Sequence, residues 1–354
     1  VVEEALTNLG FRCHRLTFEE PGTAPVENLF ARLGTGAPNL AFAGHTDVVP
    51  PGDLRAWKVD PFVGEVVDDV LYGRGAVDMK GAIACFIAAT GRILAEHRPA
   101  GSITFLITGD EEGPAINGTR KLLGWMKEQK ETIDACIVGE PTNPKRLGEM
   151  IKIGRRGSLN GWLTVPGIQG HVAYPERADN PIPRLLAMLG GLTAEPLDGG
   201  SESFEPSRLV VTSVDVGNPA TNLIPGEARA TFNIRFNDRY SAASLRAWLD
   251  ARLAAVDRSY RLTTRADAEA FVTLPGPLTE LLENLIEREV GVVPELSTSG
   301  GTSDARFIND LCQVVEFGLV GETIHQVNER VPLADLRALT NIYRALLASF
   351  VRAA

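Results

Sequence analysis

Three short apolar runs, each closed by glycine, constrain what the first half of this chain can become: NLAFAG at 39–44, SITFLITG at 102–109 and DACIVG at 134–139. They are apolar nearly throughout rather than on alternate residues, the pattern of strands buried on both faces. Between them, KGAIACFIAATGRILAEH (80–97) and GTRKLLGWMKEQK (118–130) read as helices. This alternation predicts an α/β layer with a mostly parallel central sheet. From about residue 157 the rhythm changes. The pattern predicts strand 158–165, helix 181–192, strands 208–216 and 227–236, helix 241–256 and strand 259–271. That β-α-β-β-α-β order is ferredoxin-like and self-contained. After 272 a helix in PLTELLENLIEREVG and a strand in CQVVEFGLVG (312–321) resume the first pattern. The expectation is a discontinuous domain, 1–156 with 272–354, interrupted by an inserted domain at 157–271. The stretch LDGGSESFEPS (197–207) is its expected mobile loop.

Composition narrows the function classes. A chain of 354 residues, 44% hydrophobic and 23% charged, has ordinary globular composition and length enough for two domains. Its formal net charge of −10 argues against a nucleic-acid partner and leaves any anionic substrate to local arginines. No apolar run is long enough to span a bilayer. VVEEALTNLGF at the start has no signal-peptide architecture. It opens without Met inside an amphipathic helical pattern that Gly10 could end, so the natural N-terminus is expected to lie upstream. Cys13, Cys85, Cys136 and Cys312 lack C-x-x-C spacing, which predicts reduced core thiols in a cytoplasmic protein.

Polar residues then gather at the ends of the predicted strands. His45 follows NLAFAG, Asp110, Glu111 and Glu112 follow SITFLITG, Glu140 follows DACIVG, and His325 lies beyond CQVVEFGLVG. Asp78 ends LYGRGAVD just before a helix. In open α/β sheets, ligands bind outside the carboxyl ends of the strands. Each residue also has a plainer reading: the three adjacent acids as a solvated turn, Asp78 as a helix cap, His45 as a core histidine, Glu140 as a turn residue before Pro141. GRGAV is no dinucleotide fingerprint, since its third glycine is missing. Together His45, Asp78, Glu112, Glu140 and His325 make two imidazoles and three carboxylates, a donor set suited to zinc, or to cobalt and manganese as substitutes. Five ligands exceed one open tetrahedral site and suit two ions sharing a carboxylate, about 3.5–4 Å apart. If the segment is extended, Glu111 and Glu112 point opposite ways, so that one ligates and the other faces the attacking water as a general base.

Five ordered motifs, FAGHTDVVPPGD (42–53), LYGRGAVDMKG (71–81), LITGDEEG (106–113), VGEPT (138–142) and TIHQVNE (323–329), resemble the co-catalytic zinc amidohydrolases over essentially the whole chain. That family holds aminoacylases, carboxypeptidases, deacetylases and desuccinylases. GRRGSLNGWLTVPGIQGHVAYPERADNP (154–181), NLIPGEARATFNIRFN (222–237) and STSGGTSDARF (297–307) are most similar to its desuccinylase branch. The resemblance implies a zinc-peptidase-like catalytic domain with an inserted dimerisation or lid domain. The implied activity is removal of succinate from N-succinyl-LL-2,6-diaminopimelate, on the route to lysine and cell-wall precursors. A related acyl-amino-acid hydrolase, such as an acetylornithine deacetylase, is the alternative, and a non-catalytic metal-dependent binding protein a further one. By resemblance Asp78 bridges two ions, His45 and Glu140 complete one, and Glu112 and His325 the other. Glu111 is then the general base, and Asp47 orients His45. His171 would reach the active site of a partner subunit and stabilise the oxyanion, which implies a homodimer. Arg155, Tyr174, Asn222, Arg235, Gly301 and Thr302 would hold the substrate. The arginines would act as carboxylate clamps and the glycine-rich turn as an anion nest.

Overall fold

The computed structural model describes residues 1–351 and divides into two compact units. The first comprises Val1–Ile153, Thr273–Ser297 and the chain from Ser303 onward. The second comprises Gly154–Val272 together with Thr298–Thr302.

An eight-stranded sheet forms the first unit. In spatial order its strands are Arg12–Phe18, Val26–Leu33, Ser102–Thr108, Asn39–His45, Ala135–Val138, Gln313–Glu316, Met150–Lys152 and Glu295–Ser297. The four central strands from Ser102–Thr108 to Gln313–Glu316 are mutually parallel. Asn39–His45 and Ser102–Thr108 are buried at every residue, as their continuous apolar character requires. Phe42 stacks on Phe86 of the helix Gly81–Glu96 with ring centroids 4.5 Å apart, and Tyr343 of the helix Leu333–Phe350 closes the cluster edge-on. Burying each such ring contributes about 1.5–3 kcal/mol, and each well-oriented pair about 0.5–1.5 kcal/mol more. That packing covers the central strand, which is buried through to its last residue, His45.

The hairpin Arg12–Phe18/Val26–Leu33 and the last helix, Leu333–Phe350, lie outside the sequence reading. The strand expected at 312–321 is regular only over Gln313–Glu316. Beyond it the chain runs beside Gly139–Asn143 with a bond from Phe317 N to Val138 O and a single bridge at Asn143 and Val320.

In the second unit, strands Gly157–Pro166, Arg208–Asp215, Glu227–Phe236 and Arg261–Ala268 form one antiparallel sheet. By chain position its spatial order is second, third, first, fourth, which is the ferredoxin-like arrangement. Helices Pro181–Thr193 and Ala242–Ala254 supply Leu185, Leu189, Leu245 and Leu249 to a core shared with Leu159, Leu163, Phe232 and Ile234 of the strands. Gly161 is required there, because a Cβ at that position would sit 2.2 Å from the Phe232 ring. The strand expected at 259–271 stops at Ala268, and Phe271–Val272 pairs instead with Gly154–Arg155.

Candidate metal centre

Register brings the site together. His45 pairs with Thr108, and Ala43 with Val138, so three adjacent parallel strands end at nearly the same level. The residues that follow them, Asp47, Glu111, Glu112 and Glu140, therefore emerge at one edge of the sheet. Asp78 reaches that edge from a non-helical kink (φ −117°, ψ 94°) ahead of the helix Gly81–Glu96. It caps no helix, because its carboxylate is turned to the histidines. Asp78 Oδ1 lies 3.1 Å from His45 Nε2, and Asp78 Oδ2 lies 3.3 Å from His325 Nε2.

The remaining acids divide between the two imidazoles. Glu112 Oε1 is 2.9 Å from His325 Nε2, whereas Glu140 Oε1 and Glu111 Oε2 lie 3.7 and 3.9 Å from His45 Nε2. Ligand atoms of His45, Asp78 and Glu112, and separately of His45, Glu111 and Glu140, fall within 4.8 Å of one another. The structure thus brings together all five expected ligands and Glu111. The premise of alternating side chains fails here, since residues 111–114 form a turn and both glutamates reach the cluster. Nor is the acidic triplet a solvated turn. Buried Asp110 accepts the N–H groups of Ile116 and Asn117, both at 2.8 Å, and so folds the segment back.

Burial and mutual repulsion set the protonation of this cluster. His45 is 1% exposed, and its Nδ1 lies 3.0 Å from the carbonyl oxygen of Asp47. Burial works against its imidazolium, but bonds to Asp47 and Asp78 and the nearby charges of Glu140 and Glu111 prevail and raise its pKa to about 12. Glu111 is pushed up to about 8 by burial and by Asp304, against the pull of His45. Burial, followed by Asp78, also raises Glu112, and raises Glu140 well above the usual carboxylate range. Asp47 goes the other way despite its burial, because His45 and the N–H groups of Glu112 and Glu111 favour its anion. Those N–H groups reach the Asp47 carboxylate at 2.9 and 3.3 Å, and its Oδ1 lies 3.5 Å from His45 Nδ1, so one carboxylate faces both the histidine and the glutamate turn.

A cation fits this donor set. Glu140 Oε1 is buried without a hydrogen-bond partner, and Asp78 and Glu112 turn their oxygens to the two imidazoles. Oxygen and nitrogen donors without thiolate suit zinc, cobalt or manganese. Sequence reasoning missed Asp304 and Thr119, whose bond at 2.7 Å sets a buried acid near Glu111, and also Arg74 and Glu329. Asp304 and Glu329 lie inside motifs quoted above, but no local pattern marks either as buried.

The other expected residues belong to the second unit. His171, Tyr174 and Asn222 are exposed and share one set of loops: Gly170–His171 pairs with Leu223–Ile224, Val172 N donates to Asn222 O, and the His171 and Tyr174 rings lie 5.8 Å apart. Arg177 covers the face of Tyr174 at 5.0 Å. Arg155 is buried, with Nη1 donating to Ser299 O at 3.4 Å, and it packs against the turn that carries Gly300, Gly301 and Thr302. Arg235 lies half-buried opposite Ser158, its pKa lowered by burial and by the charge of Arg156.

The sequence model of peptidase family M20/M25/M40 matches residues 41–349. A succinyl-diaminopimelate desuccinylase of Rhodospirillum centenum is 58% identical over 347 residues, covering 98% of this chain and 90% of the relative. One of Rhodopseudomonas palustris is also 58% identical, covering 99% of this chain and 92% of the relative. The solved M20 metallo-carboxypeptidase of Sulfolobus solfataricus superposes with a TM-score of 0.77 at 17% identity, covering 98% of this chain and 92% of that one, a likeness of fold. With the buried donor cluster at the strand ends, these matches place the chain in peptidase family M20/M25/M40.

Proposed function

We propose that this protein is a metal-dependent amide hydrolase that releases succinate from N-succinyl-LL-2,6-diaminopimelate, giving LL-2,6-diaminopimelate for lysine and cell-wall precursors in the cytoplasm. The observation that carries the dinuclear reading is the placement of Asp78, whose two oxygens face two histidines that each have a carboxylate of their own. His45 and Glu140 would hold one ion, Glu112 and His325 the other, with Asp78 shared. Zinc is the best match, and cobalt or manganese could substitute. Bound there, the ions supply Lewis acidity toward the amide carbonyl and make water more acidic. Glu111 takes a proton from the attacking water at its carboxylate and returns it to the leaving amine. Asp47 keeps His45 oriented throughout. Arg155, Arg235, Tyr174, Asn222, Gly301 and Thr302 hold the substrate carboxylates and amide. His171 of the partner subunit in a homodimer stabilises the tetrahedral oxyanion.

The test is a rate comparison on zinc-loaded protein between N-succinyl-LL-diaminopimelate and N-acetylornithine, with a chelator-treated control. Chelator-sensitive hydrolysis of the succinyl compound is expected. Turnover of the acetyl compound alone would move the protein to the deacetylase branch, and turnover that the chelator leaves unchanged would end the metal reading.

A further inference from the structure

Glu329 is fully buried, and its carboxylate accepts four hydrogen bonds from the loop that carries Asp78. Oε2 receives Arg74 Nη1 at 2.6 Å and the N–H of Gly75 at 3.0 Å. Oε1 receives the N–H groups of Val77 at 2.8 Å and of Asp78 itself at 3.1 Å. The main chain adds a further tie, since Gly73 N donates to Glu329 O at 3.0 Å. These bonds are needed locally. Gly75 is left-handed (φ 80°), Asp78 and Met79 are non-helical, and no regular ladder serves the N–H groups between them.

The same residue closes the His325 loop. His325 (φ 59°) and Asn328 (φ 63°) both occupy the left-handed region, which non-glycine residues hold only when their surroundings enforce it. The hydroxyl of Thr323 donates to Arg330 O and accepts from Arg330 N, both at 3.1 Å, pinching the loop at its base beside Glu329. Arg74 also donates from Nη2 to the carbonyl of Pro50 at 3.3 Å.

We propose that Glu329 is a positioning residue for the metal centre. Backed by Arg74, it sets the Asp78 loop against the His325 loop and so fixes how Asp78 is shared between its two histidines. This rests on the reading of Asp78, His45 and His325 as metal ligands. A buried ion pair kept for stability alone would be a weak device, because packed apolar residues often serve as well. What an apolar pair cannot do is accept three N–H groups of one irregular loop.

The test compares Glu329→Gln with Arg74→Met, reading zinc affinity by chelator competition and stability by thermal melting. Both variants lose the ion pair and melt earlier. Only Glu329→Gln turns an acceptor into a donor facing the loop, so its zinc affinity is expected to fall about 10–100-fold, the usual cost of losing an outer partner of the ligands. Arg74→Met keeps all three N–H acceptors and should hold zinc within about threefold of wild type. Equal zinc loss in both variants, or wild-type affinity in Glu329→Gln, would overturn the proposal. Should Glu329→Gln not fold, Arg74→Met alone decides, since zinc loss in step with its lost stability is the contrary result. Wild-type protein that took up no zinc would overturn the metal reading and this one with it.

Discussion

In the first unit the functional acids are buried and crowded: Glu111, Glu112 and Glu140 all have raised pKa values, Glu140 Oε1 lacks a partner, and His45 is 1% exposed. In the second, His171, Tyr174 and Asn222 are exposed, and only Arg155 is buried. Desolvated charges of one sign destabilise a fold unless a cation or proton joins them, so the first region is organised by what it must bind. Solvated groups cost little in either state, so the second region needs no bound partner to offset its charges. On the function proposed above, metal chemistry falls to the buried cluster and substrate contacts to residues of the second unit.

The largest effect that would sharpen this division is at Glu111. Glu111→Gln should lower kcat roughly 10³-fold while zinc content holds, as removal of a general base does. A variant retaining most of its rate removes Glu111 from that role, and one that loses zinc makes it a ligand. Next is His171→Ala, expected to cost about 100-fold in kcat with KM and zinc content nearly unchanged. If His171 acts across a dimer, mixing it with Glu111→Gln should restore about a quarter of wild-type activity, because about half the dimers are mixed and each has one complete site. Absence of complementation, or a change confined to zinc content, counts against the cross-subunit role.

The smallest effect is on stability. Glu111, Glu112, Glu140 and His45 all have folded pKa values above their unfolded ones. The stability they contribute is therefore complete below the unfolded values and is lost as pH rises through the folded ones. For Glu111 that window runs from 4.5 to about 8, and for His45 from 6.5 to about 12. Asp47, lowered from 3.8, loses its contribution only at more acidic pH. Metal-free protein should thus melt several degrees lower at pH 8 than at pH 5, and zinc should flatten the dependence. Zinc binding near pH 7 should release protons, measurable by calorimetry in buffers of different ionisation heat. A melting temperature that rises across the same range in chelated protein contradicts the buried-acid account.

Much of this was legible in the chain itself. Short runs apolar nearly throughout and closed by glycine fit strands covered on both sides, which is how NLAFAG, SITFLITG and DACIVG pointed to the parallel centre of the first sheet. The polar residues closing those runs then fall at one sheet edge, which is why His45, Glu112 and Glu140 could be named together. The hairpin Arg12–Phe18/Val26–Leu33 escaped because its first strand is half-exposed and mixed in polarity. The turn after Gly109 escaped because adjacent acids have no pattern that separates a strand end from a bend.

What the sequence determined by itself was the order of the central strands and helices and the two kinds of sheet, both consequences of local periodicity, together with the inventory of donors. Tertiary structure alone decided which donors face one another and which acids are deprived of water. Glu329 and Asp304 look like ordinary acids in sequence, yet packing encloses both, one beneath the Asp78 loop and the other near Glu111. The physical reason is that desolvation and hydrogen-bond partnership arise from segments distant in the chain, and no local pattern encodes them.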